Sequence, residues 1–164
     1  MQQGYTEASA NIAATAADIY DVLADYRHGH PHILPQPYFS KIEVEEGGTG
    51  SGTIIRIHMR VFGQERVFRQ RVSEPDPGRV LVETDLDTGS VTTFTVTSLA
   101  DEQQSHVHIA TEWIARPGII GWLERLMTTR LLRSIYTKEL QQLAAYVTGG
   151  RSFASNRARD THGV

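Results

Sequence analysis

Seven short runs of alternating apolar and polar residues precede one long segment of helical period, and that order leaves few folds open. The long segment, Ile119–Val147, has no Pro and a single Gly, Gly121. Its apolar residues recur at Leu123, Leu126, Met127, Leu131, Leu132, Ile135, Tyr136, Leu140, Leu143 and Val147, a wide stripe at helical spacing. Such a stripe has to be covered, and the preceding strands supply the one partner large enough. A long helix laid across a curved sheet often leaves space between the two, and a function would sit in that space.

The first strand reads from about Tyr5 to Ala13, with Ala8, Ala10 and Ile12 on one face. A helix over Ala16–Asp25 follows, with Thr15 as its N-cap, Asp18 in its first turn and Ile19, Val22 and Leu23 inward. The segment Tyr26–Pro37 carries three prolines and a Gly, which leaves room for one helical turn around Pro31–Leu34. Six further strands are predicted over Ser40–Glu45, Thr53–Phe62, Glu65–Ser73, Arg79–Asp85, Ser90–Ser98 and His106–Ile114. Gly63-Gln64 suits a two-residue hairpin turn, and EPDPGR turns the chain again. Closely spaced turns imply an antiparallel meander. The polar, nonperiodic stretch after Val147 predicts a disordered tail over 149–164, behind a single domain over 1–148.

Composition narrows the function. A chain of 164 residues buries roughly two-thirds of its unfolded surface and needs no staples. A net charge of −3 argues against nucleic acid, whose phosphates call for a concentrated basic surface. The absence of Cys excludes disulfides, thiolate metal sites and a cysteine nucleophile. MQQGYTEASA lacks the basic start and apolar core of a signal peptide, and no apolar run approaches the ~18 residues of a membrane span, so a cytoplasmic location is expected.

Strand parity sorts the faces. Ile55, Ile57, Met59 and Val61 share one face, and Arg66, Phe68, Gln70 and Val72 share the matching one. The later inner sets are Val80, Val82 and Thr84; Thr92, Phe94 and Val96; and Val107, Ile109, Thr111 and Trp113. Most suit a core. Arg66, Gln70, Thr84, Thr92 and Thr111 do not, and several polar groups on one concave face point to a wet or ligand-filled interior.

The strings IAATAADIYDVLADYR, EVEEGGTGSGTIIRI, PDPGRVLVETD, TTFTVTSL and IATEWIARPG, in this order of elements, resemble the START-like helix-grip superfamily, and within it the polyketide cyclase/dehydrase and lipid transport family, over about residues 5–147. The resemblance implies an α+β helix-grip fold: a curved seven-stranded antiparallel sheet around a long C-terminal helix, with two short helices after the first strand. It implies an apolar pocket between sheet and helix, and no particular reaction.

The pocket expected on this reading has walls of Ile55, Ile57, Met59, Phe68, Val82, Phe94 and Trp113 from the sheet and Leu123, Met127, Leu131 and Ile135 from the helix. Arg66, Gln70, Thr92 and Thr111 would orient the ligand, and Tyr26, His28 and Leu34 would form the mouth. The expected partner is a hydrophobic or amphipathic small molecule, with no cofactor and no metal. His28, His30 and His32 are interrupted by Gly29 and Pro31 and have no nearby carboxylate to complete a zinc site. Arg66 and Tyr26 are the candidates for catalysis, through stabilisation of an enolate oxygen and proton donation, in a polyketide aromatase/cyclase or dehydratase. A protein-partner module without a ligand is the third reading, and a homodimer stays open.

Overall fold

The computed structural model describes residues 2–160, with side chains described for 3–149. Strand β1 (Gln2–Ile12) leads into helix α1 (Ala16–Ala24) and a 3-10 turn at His30–His32. Strands β2 (Phe39–Glu46), β3 (Ile54–Val61), β4 (Gln64–Asp76), β5 (Val80–Asp85), β6 (Val91–Ser98) and β7 (Ser105–Ala115) follow, and helix α2 (Gly118–Asp160) closes the chain. The sheet order is β1-β7-β6-β5-β4-β3-β2, antiparallel throughout. The meander runs β2 to β7 by nearest-neighbour turns, and β1 joins the far edge beside β7. This is the α+β helix-grip arrangement.

Thr15 caps α1 as its position predicts, its Oγ1 accepting from the Asp18 amide at 3.1 Å. Ile19, Tyr20, Leu23 and Ala24 are the buried face. The core gathers α1, the concave sheet face and the stripe Ile135, Tyr136, Leu140, Leu143 and Val147 of α2. The last turn of β7 into α2 is tight: a Cβ on Gly121 would lie 1.8 Å from the Arg116 carbonyl oxygen.

Three local expectations shift. The β3–β4 loop is Phe62-Gly63 rather than Gly63-Gln64, with φ of 50° and 77°. Both loop residues are left-handed, the type I′ pattern whose twist matches the flanking strands. The helical turn is His30–His32 rather than Pro31–Leu34. Helix α2 extends through residues 149–160, where the composition reads as a tail, and 161–164 lie outside the described residues.

The face assignment of β5 is corrected. Leu81, Glu83 and Asp85 point into the core, and Val80, Val82 and Thr84 lie on the other face, half-buried. Cross-strand partners share a face, and the register pairs Leu81 with Phe94 and Glu83 with both Thr92 and Val72. A register shift between Ser73 and Asp76 of β4 separates Val80 from the regular ladder. The valines of β5 suit a core by composition, but the pairing gives the concave face to their neighbours.

Candidate functional site

The register lines up a polar row across the concave face. Thr6 of β1 is opposite Thr111 of β7, which is opposite Thr92 of β6, which is opposite Glu83 of β5. All four are buried. Buried polar groups have to find partners, and these find them in the row and in elements laid over it. Thr92 and Thr111 share a hydrogen bond of 2.8 Å, and the Tyr136 hydroxyl of α2 meets Thr111 Oγ1 at 2.5 Å. Thr6 Oγ1 donates to the Thr129 carbonyl oxygen of α2 at 3.3 Å.

The Glu83 end of the row is the most charged part of the interior. Tyr26, 1% exposed, donates its hydroxyl proton to Glu83 Oε1 at 2.7 Å. His30, equally buried, has Nδ1 2.8 Å from the Leu23 carbonyl oxygen. A carbonyl only accepts, so Nδ1 carries the hydrogen and Nε2 is the nitrogen that faces Glu83 Oε1, 3.7 Å away. Tyr26 and His30 stack at 4.6 Å, and the edge of Phe94 closes the set at 5.8 Å. Glu139 of α2 is 3% exposed. Burial, and then the Glu83 charge, raise its pKa well above the usual carboxylate range, so it holds its proton. Burial also raises the Tyr26 and Tyr136 hydroxyls, with Glu83 adding to the shift of Tyr26. The result is a buried set in which Tyr26 donates to the Glu83 carboxylate while Tyr136 and Glu139 keep their protons within range of its charge.

The predicted site residues divide by depth. Tyr26, Leu34, Ile55, Ile57, Thr92, Phe94, Thr111 and Ile135 are buried and form the floor. Met59, Phe68, Gln70, Trp113 and Leu131 are half-buried. Trp113 lies flat over Gly4, where a Cβ would meet the indole at 2.1 Å. Leu123 and Met127 are about half exposed. Arg66 is exposed because β5 ends at Asp85, opposite Gln70, and the earlier part of β4 projects beyond it. His28 is in solvent, its side chain 83% exposed and 3.4 Å from the Asp25 carboxylate. Val82 is on the other face of the sheet.

His30, Glu83, Tyr136 and Glu139 belong to the interior set and are absent from the predicted site. Glu139 had a signal: it stands four residues after Ile135 and four before Leu143, inside the buried stripe. Glu83 shares parity with Leu81. Nothing periodic marks His30 over His28.

Helix α2 packs chiefly against β1, with lesser contact to β7, α1 and the 3-10 turn. Stepping back from Ile135 by four residues, exposure rises through Leu131 to Met127 and Leu123. Two buried acceptor oxygens on the concave face, Gln70 Oε1 and Asp85 Oδ2, have no partner. A groove of about 320 Å³ lies on the other side of the helix, between β1 and the first turns of α2, lined by Gln3, Tyr5, Trp122, Arg125, Leu126 and Thr129.

A curved sheet with a long helix across it, an apolar floor and a half-open helix end define a small-molecule-binding fold of the helix-grip class. The chain belongs to the polyketide cyclase / dehydrase and lipid transport family, whose model matches residues 5–148. Its structure is similar to that of the KanY protein, at 26% identity and a TM-score of 0.78, over 90% of this chain and 99% of that one. It is also similar to the Zhui aromatase/cyclase from Streptomyces sp. R1128, at 21% identity and a TM-score of 0.65, over 99% and 100%. The di-domain ARO/CYC StfQ from the steffimycin biosynthetic pathway aligns at 16% identity and a TM-score of 0.72, over 92% of this chain and 52% of that one. These last two likenesses show the fold. No curated protein matches the sequence. No helix among the described residues is long and apolar enough to cross a membrane.

Proposed function

We propose that this protein binds a hydrophobic or amphipathic small molecule, lipid-like or polyketide-like, between the concave sheet face and the N-terminal half of α2. The observation that carries this reading is the exposure gradient from Ile135 to Leu123. The stripe begins fully buried and ends half exposed, while Met59, Phe68 and Trp113 on the sheet also keep part of their apolar surface uncovered. A filled core would bury both sets, whereas a site that receives a ligand leaves them wanting cover. Family membership supports the same reading. Native mass spectrometry of protein purified without additives, with displacement of a fluorescent fatty acid, tests it. The expected result is a co-purifying amphiphile or a displaceable probe, with binding weakened at least ten-fold by Phe68→Asp. Absence of both, or a Phe68→Asp variant that binds unchanged, overturns it.

A second reading, a polyketide cyclase or dehydratase, is favoured by the set of Tyr26, His30, Glu83 and Glu139. Cyclisation and dehydration of a poly-β-keto chain need a proton given and a proton taken, and this set holds donors beside one acceptor. Turnover of a poly-β-keto thioester, lost in both Glu83→Gln and Tyr26→Phe with the fold retained, supports it. Unchanged products in those variants rule it out.

A further inference from the structure

The large apolar side chains left exposed are gathered at one end. Antiparallel register puts the β3–β4 hairpin, the β5–β6 turn and the β7–α2 junction at the same end of the sheet. There stand Phe62 (68% exposed), Ile119 (85%) and Ile120 (74%), with Leu86, Ile114 and Trp122. Tyr5, Val67, Leu123, Leu126 and Met127 follow on the strands and helix that lead away from this end, and among the described residues Tyr146 stands apart from it. Scattered apolar residues on a surface are ordinary, but a concentration of them marks an interaction surface.

Charge selects the partner. Residues 116–133 carry four arginines, Arg116, Arg125, Arg130 and Arg133, against one carboxylate, Glu124, which pairs with Arg116 at 3.9 Å, in a chain whose net charge is −3. The other carboxylates of this end, Glu65, Asp85, Asp87 and Glu112, belong to strands and a turn, off the helix, and Asp85 is buried. A second copy docked on the same patch by a two-fold axis would bring the two arginine sets together and oppose association. An anionic surface meets them favourably. The groove between β1 and α2 adds aromatic rings at its rim, Tyr5 and Trp122, beside Arg125 and Leu126. A helix start with apolar residues, a Trp and arginines is the composition that lies in the headgroup layer of a membrane.

We propose that this end docks on an anionic bilayer, with Ile119, Ile120 and Trp122 entering the headgroup layer and the arginines of α2 meeting lipid phosphates. The docking surface rests on the exposed end and its charge, separately from the ligand site, so each can fail alone.

Co-sedimentation with vesicles of phosphatidylcholine alone, and of phosphatidylcholine mixed with phosphatidylglycerol, tests the docking. Binding to the mixed vesicles is expected to exceed binding to the neutral ones at least ten-fold and to fall with added salt, since each arginine near an anionic surface contributes roughly a five-fold gain. A blue shift of tryptophan emission on vesicles is expected, and Trp122→Phe removes it. The double variant Ile119→Asp, Ile120→Asp is expected to lose vesicle binding while its circular dichroism and its affinity for a soluble fluorescent fatty acid stay at wild-type values; these side chains have little packing to lose. Equal or absent binding to both vesicle types at low ionic strength overturns the proposal. So does a concentration-dependent dimer that the double variant dissolves, because that result makes the end a contact between copies.

Discussion

Replacing Glu139 by Gln should stabilise the protein, and more so as the pH rises. Glu139 lies in the buried stripe of α2, and burial together with the nearby Glu83 charge lifts its pKa well above 4.5. The sign follows from linkage. Above 4.5 the unfolded chain has released this proton and the folded chain still holds it, so wild-type stability falls as pH rises toward the folded value. The contribution is fully present below about 4.5 and is lost at about 1.4 kcal/mol per pH unit inside the window. Gln has the shape of the protonated acid and no proton to lose, so the variant lacks this slope. The stability difference between Glu139→Gln and wild type should therefore grow as the pH is raised from 5 toward the folded-state value. Urea unfolding of both proteins at several pH values measures it, and other titrating groups cancel in the difference. Repeating the series in a Glu83→Gln background removes the second cause and should narrow the window without closing it. A difference that does not change with pH, or that shrinks on going from pH 5 to pH 7, refutes the assignment of a proton to Glu139.

Other consequences are direct. Gly4→Ala sets a methyl group against the Trp113 indole, and urea unfolding should show a loss of about 1–3 kcal/mol with altered tryptophan emission. Leu81→Ala should cost about 2–5 kcal/mol in the same assay and Val82→Ala less than half as much, because Leu81 is the buried member; equal losses would contradict the β5 face. Tyr26→Phe leaves Glu83 without its 2.7 Å donor and should cost about 1–3 kcal/mol, whereas His28→Ala, in solvent, should stay within about 0.5 kcal/mol by thermal unfolding.

What could be read from the chain followed locality. The α2 stripe, the Thr15 cap and the strand meander are written in residues a few positions apart, and each is found where its spacing puts it. The inner face of β5 is written across strands. Val80 and Val82 have the better core composition, and only pairing with Phe94 and Thr92 hands the interior to Leu81 and Glu83. His28 and His30 are chemically equal in the sequence; the Leu23 carbonyl, seven residues away, makes one of them a buried partner of Glu83. Depth was also beyond parity. Arg66 and Phe68 have the same inward phase as Val72, but β5 stops short of them, and a strand with a neighbour on one side only buries less of what it points inward. Parity predicts direction, and burial depends on what else arrives.

The long helix divides into two parts for a mechanical reason. Its C-terminal part is seated by Ile135, Tyr136, Leu140, Leu143 and Val147 in the core, with Tyr136 bonded to the threonine row. Its N-terminal part is held at the β1 side, where Thr6 bonds the Thr129 carbonyl. A helix rises about 1.5 Å per residue, so Leu123 lies about 18 Å from Ile135 along one rigid axis. A tilt of about 10° at the seat moves Leu123 by about 3 Å, close to the thickness of a methylene layer. A site over Met59 and Phe68 would thus widen or narrow with the seat of the other half of the helix, where Tyr136 bonds Thr111. An all-apolar seat would hold the helix without fixing its angle, since apolar contacts have no direction. Hydrogen bonds do have direction, and the buried row beneath Tyr136 gives the helix a defined bearing at the place where a small rotation is most magnified at the open end.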